Sequence, residues 1–176
     1  MIQSVRDVVI AIFFDAMTLV SSWAMAPAPE GETMKPSVTY VHLLRHTPFF
    51  TNLNIDQLRW VVEHSREWEV QPSTAIVTRE AGEASTDDAI WVLLDGKWCV
   101  EENGRRHESG NSTAGKWFSA AEIAGPVKLV VTEHSYVMKI TRADFNTMLA
   151  QGFDFRSHLL AGENYYRVIS PPHLLP

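Results

Sequence analysis

DDAIWVLLDGKWCVEENGRRHES, residues Asp87 to Ser109, carries the pattern that decides the fold. An apolar run from Ile90 to Leu94 stops at Gly96, and a second run around Trp98 to Val100 stops at Asn103-Gly104. Runs this short, closed by turn residues, read as strands rather than helices. Asn-Gly between two strand runs predicts a type I′ hairpin, because both central residues of that turn need φ > 0.

The same grain extends outward. Upstream, EWEVQPSTAIVTREAGE (Glu67–Glu83) breaks into strand-like pieces at Pro72 and Gly82. Downstream, VKLVVTEHSYVMKI (Val127–Ile140) predicts two strands around a turn at Glu133 to Ser135. Helical signals lie on either side. VTYVHLLRHTPFF (Val38–Phe50) predicts a short helix that stops before Pro48. Asn54 with Gln57 forms a capping pair for IDQLRWVVEH, and TRAD (Thr141–Asp144) opens a helix carrying Phe145, Met148 and Leu149. A last helical stretch runs from Phe153 to Ile169 before Pro171-Pro172. The predicted class is mainly β: an antiparallel β-roll or jelly roll of about eight strands with N-terminal and C-terminal helices.

At 176 residues the chain fits one domain with extensions. Its formal charge is −6 with no basic run, which argues against nucleic acid as a partner. Cys99 stands alone, which excludes an internal disulfide and a multi-cysteine zinc site, and it suits a reducing, cytoplasmic setting. Near the N-terminus, Val8 to Phe14 is apolar but too short to span a membrane and poorly flanked for a signal peptide. Val5, Val8, Val9, Ile12, Phe13, Ala16, Leu19, Val20 and Trp23 share one helical face. The polar face lacks lysine and arginine, so packing on the domain or a partner is preferred to a membrane surface. The chain therefore divides into an amphipathic helix (1–25), a proline-rich linker (26–40), a β-roll domain (41–152) and a C-terminal helix and tail (153–176).

From Leu43 to Leu149 these features resemble the cyclic nucleotide-binding domain, the β-roll sensor of catabolite-activator-type regulators, cyclic-nucleotide-dependent kinases and gated channels. The residues that carry the resemblance are Phe49-Phe50 and the helix after it, Gly82-Glu83, IWVLLDG ending at Gly96, and VMKITRADF ending at Phe145.

That resemblance implies a ligand loop in AGKWFSAAEIAGPVK (Ala114–Lys128). In the family such a loop reads Phe-Gly-Glu, enters a short helix whose free N–H groups meet a cyclic phosphate, and ends near an arginine that pairs with it. Gly115, Trp117 and Phe118 match the approach, but Ser119 replaces the glycine, Ala120 replaces the glutamate, and Pro126, Val127 and Lys128 stand near the arginine position. Glu122 and Lys128 are the candidate substitutes. Two lost charge-assisted hydrogen bonds cost about 3–6 kcal/mol, or roughly two to four decades of affinity. Ordinary binding of cyclic AMP or cyclic GMP is thus disfavoured, and no other cofactor is expected.

Other chemistry is thinly supported. His107 and His134 fall in the strand region with Glu108 beside the first, but they lack the two-histidine strand spacing of a cupin metal site and read as solvent-facing. No axial pair for haem stands out. Cys99 and Trp91 read as core residues, whereas Trp98 is expected to face outward as a partner surface. The residues after Phe145 are too few for a helix-turn-helix domain. The first expectation is a non-catalytic regulatory or adaptor protein that works through a protein partner or homodimer by its terminal helices. A small-ligand sensor using Ser119, Glu122 and Lys128 is the second, and a cupin-type metal enzyme the third.

Overall fold

Nine strands and four α-helices form among the described residues, 33–83 and 88–171, of the computed structural model. The amphipathic segment 1–25 and the end of the chain beyond residue 171 lie outside them. In chain order the first elements are β1 (Met34–Ser37), α1 (Val41–Leu44), α2 (Ile55–Glu63), β2 (Ser65–Val70) and β3 (Ala75–Arg79). Then come β4 (Ile90–Asp95), β5 (Lys97–Glu102), β6 (Arg105–Gly110), β7 (Trp117–Phe118), β8 (Val127–Val131) and β9 (Ser135–Ile140). Two helices follow, α3 (Arg142–Ala150) and α4 (Arg156–Ile169).

The strands pair antiparallel in two sheets, ordered β1-β2-β9-β4-β7 and β3-β8-β5-β6. This is the β-roll expected from the turn-punctuated sequence. The hairpin forms as predicted, with Asn103 at φ 49° and Gly104 at φ 74° between β5 and β6. Asn54 accepts from the amides of Asp56 and Gln57 while Gln57 returns a bond to Asn54 N, completing the predicted capping box of α2. Thr141 caps α3 through the amide of Asp144.

Two local expectations are corrected. Met34–Ser37, read as the end of a linker, pairs along β2 from Met34↔Val70 to Ser37↔Glu67. Its place at the sheet edge is where a strand proline is found. Trp98, expected outside, is fully buried and donates through Nε1 to Gly115 O at 2.8 Å. Its strand is covered on the core side, so Trp98 and Val100 join the core while the Sγ of buried Cys99 accepts from Arg106 Nη2 at 3.3 Å.

An aromatic cluster fixes the helices. Phe49 and Phe50 sit in a 3₁₀ turn (Pro48–Phe50) and are fully buried. Phe155, just ahead of α4, stacks on Phe49 at 5.0 Å and on Phe145 of α3 at 5.4 Å. Each buried phenylalanine contributes about 1.5–3 kcal/mol. The cluster joins the pre-roll turn to the α3–α4 corner, and it sets where α4 starts across the roll.

Candidate functional site

The β7–β8 loop is built from the inside out. β7 is only two residues long, held on β4 by the pairs Trp91↔Phe118 and Val92↔Trp117. Ser119 follows, fully buried, and caps a 3₁₀ turn over Ala120–Glu122. Its hydroxyl donates to Asp88 O at 3.2 Å and accepts from Ala121 N at 3.4 Å and Arg142 Nη2 at 2.8 Å. One donor and two acceptor sites are all that a hydroxyl offers, so Ser119 is saturated. The amides of Glu122 and Ile123 turn back to Ser119 O and Ala120 O, at 3.1 and 3.4 Å.

The loop's carbonyls converge on one guanidinium. Arg79, at the end of β3, donates through Nε to Gly125 O and through Nη1 to Ala120 O, both at 2.8 Å. Its Nη2 donates to Ile123 O and Gly125 O. A rigid fork of donors suits several carbonyls at once in a way that an ammonium does not. Arg142 closes the other side, with Nε donating to Asp88 O at 3.0 Å.

Over β7 lies α4. His158, Gly162 and Tyr166 recur every fourth residue, so they share one face of the helix. All three meet Trp117. The indole Nε1 donates to His158 O at 2.9 Å, and Tyr166 Oη donates to Trp117 O. A Cβ on Gly162 would lie 2.2 Å from the indole Nε1, so only glycine permits this approach. Complete burial pushes the Tyr166 phenol well above its ordinary range, and it stays a neutral donor. Tyr165 extends the contact to β6, accepting from Ser109 Oγ at 3.2 Å and donating to His107 O at 3.3 Å.

The structure gathers most of the residues singled out from sequence and separates one. Gly115, Trp117, Phe118, Ser119 and Ala120 form a continuous buried strip. Ala120 is 2% exposed. Glu122 lies at the rim. Partial desolvation pushes its carboxyl pKa up, with Arg142 drawing it down and Glu163 of α4 pushing it further up. Lys128 points the other way, alternating along β8 with buried Val127 and Leu129 and standing 3.9 Å from Glu80. It does not face the loop.

Arg79 and Arg142 were not legible as site residues. Arg79 sits in an ordinary strand run, and Arg142 lies inside a capping box that already accounts for its neighbours. The histidines considered for metal stay apart in their contacts. His134 meets Glu69 at 2.8 Å, and His107 is half-buried, with Nε2 out of solvent rather than facing it. No group of three potential metal ligands occurs among the described residues.

Two antiparallel sheets rolled around this loop, with a C-terminal helix across it, match many solved structures. A cyclic AMP-bound fragment of PfPKA-R superposes with a TM-score of 0.56 at 16% identity, over 74% of this chain and 44% of that one. The fold is that of the cyclic nucleotide-binding domain. The sensor domain of the transcriptional regulator DNR from Pseudomonas aeruginosa matches at 0.52 and 16% identity, over 77% of this chain and all of that one. The regulatory subunit of a cAMP-independent protein kinase A from Trypanosoma cruzi, bound to guanosine, matches at 0.52 and 19%, over 74% of this chain and 49% of that one. No protein-family model and no curated protein matches the chain.

Proposed function

We propose that this chain is a non-catalytic regulatory module whose cassette is held closed by its own arginines and which acts through protein contacts. The observation that carries the reading is the internal saturation of the loop. The amides of Ala121, Glu122 and Ile123, which a phosphate would need, bond within the loop, and Arg79 takes the carbonyls of Ala120, Ile123 and Gly125. A ligand would have to break these bonds before making its own, and no acid stands at Ala120 to hold a ribose. The outward face of α4 offers a docking surface, since Leu160 and Val168 are 57% and 79% exposed. No helix among the described residues is long and apolar enough to cross a membrane.

Calorimetric titration with cyclic AMP, cyclic GMP and guanosine tests the reading. Dissociation constants weaker than about 1 mM are expected, given the lost charge-assisted bonds. Micromolar binding of any of the three overturns it. A second reading has its own observation: two guanidiniums, Arg79 and Arg142, bracket the loop, a charge distribution suited to a small anion. In that case the sensor residues are Arg79 and Arg142 rather than Lys128, and Arg142→Ala should abolish the titration signal.

A further inference from the structure

We propose that His158 and Lys116 form an acid-sensitive latch that releases α4 from β7. Lys116 is 9% exposed, and its Nζ lies 3.4 Å from His158 Nδ1, its one polar side-chain neighbour within hydrogen-bond reach among the described residues. No carboxylate among the described residues forms an ion pair with it. A buried ammonium beside an imidazole requires Nδ1 to accept, which places the ring proton on Nε2. That Nε2 is buried and has no hydrogen-bond partner among the described residues. The docked state therefore already leaves one polar atom of His158 unsatisfied, and it depends on the ring remaining neutral.

Protonation removes the acceptor that Lys116 has among the described residues and sets two cations side by side in a partly buried site. Phe49 of the 3₁₀ turn faces the ring at 5.4 Å and is apolar. Asp154, ahead of α4, is the one acid that favours the charged ring, and it is outweighed. Burial first, and Lys116 second, push the His158 pKa below its ordinary 6.5. Burial likewise pushes the Lys116 pKa down. The position matters because His158 O is also the acceptor for Trp117 Nε1, so the same residue ties backbone and side chain of α4 to the roll.

The sign follows from proton counting. Undocked α4 exposes a histidine of ordinary affinity for protons, so the undocked state binds more protons between pH 6.5 and the lower docked value. Acid drives release in that window, up to tenfold in the opening equilibrium for each pH unit. Glu122 acts in the opposite sense: burial chiefly, and Glu163 of α4 besides, raise its pKa, so its protonation favours docking. The regulatory meaning of the latch rests on α4 being the output element of the function proposed above.

Hydrogen–deuterium exchange of the full chain, corrected for intrinsic rates, reads the latch directly. Between about pH 7.5 and about pH 5.5, exchange at α4 amides should rise at least about threefold relative to β9, well inside the linkage ceiling. His158→Gln keeps an acceptor for Lys116 without a titratable charge, and it should flatten the response. An acid response that survives His158→Gln overturns the latch, as does unchanged α4 protection in the unmodified chain. Should the variant fail to fold, imidazole titration by NMR in the unmodified chain decides. A His158 pKa at or above 6.5 then overturns the proposal. None of these measurements uses a nucleotide, so they stand or fall separately from the calorimetry.

Discussion

Gly162 admits no side chain where it meets Trp117. Trp117, which it touches, is 2% exposed, so the indole has nowhere to retreat. Gly162→Ala should cost about 1–3 kcal/mol through overpacking, even though alanine is the better helix former. Chemical denaturation checks this; an unchanged or stabilised protein would mean that α4 does not lie against Trp117. Gly96 is constrained differently. It sits at φ 91° at the β4–β5 corner, and a Cβ there would meet Ser135 Oγ at 2.2 Å.

At the scale of elements, the β7–β8 loop is a strand-to-strand connection organised by a side chain from a third strand. Arg79→Met keeps most of the side-chain bulk and removes every donor. It should destabilise the protein by about 1–3 kcal/mol and raise exchange over residues 120–126, because carbonyls lose charged partners. Urea melts and exchange on the same variant report the two effects. If both stay at the level of the parent, Arg79 is a bystander and the closed cassette has another cause. Helix α4 shows the same logic from outside. Its inner face is specified by His158, Gly162, Tyr165 and Tyr166, and its outer face carries exposed Leu160 and Val168.

For the whole molecule, the proposed output is contact with a partner or a second copy. Removing residues 1–26 should lower the oligomeric state or abolish partner capture, with the roll's own melting temperature retained. Sedimentation of the full and shortened chains distinguishes these outcomes. Identical sedimentation and identical partners would assign the contact to α4 alone or reject it.

Local chemistry made the roll legible in the sequence alone. Asn103-Gly104, Asn54 with Gln57, and Thr141 with Asp144 each satisfy their own backbone within four residues, so no distant contact is needed to read them. The alternation of apolar and turn residues determined the fold class for the same reason. The tertiary structure alone decided the partners. Arg79 reaches carbonyls 41 to 46 positions away, and Trp117 meets His158 and Tyr166 across 41 and 49. It also placed Lys128 on the outer face, Trp98 in the core and Met34–Ser37 on a sheet edge. These outcomes depend on which strand faces which, and strand pairing is a property of the closed roll rather than of any short stretch of chain.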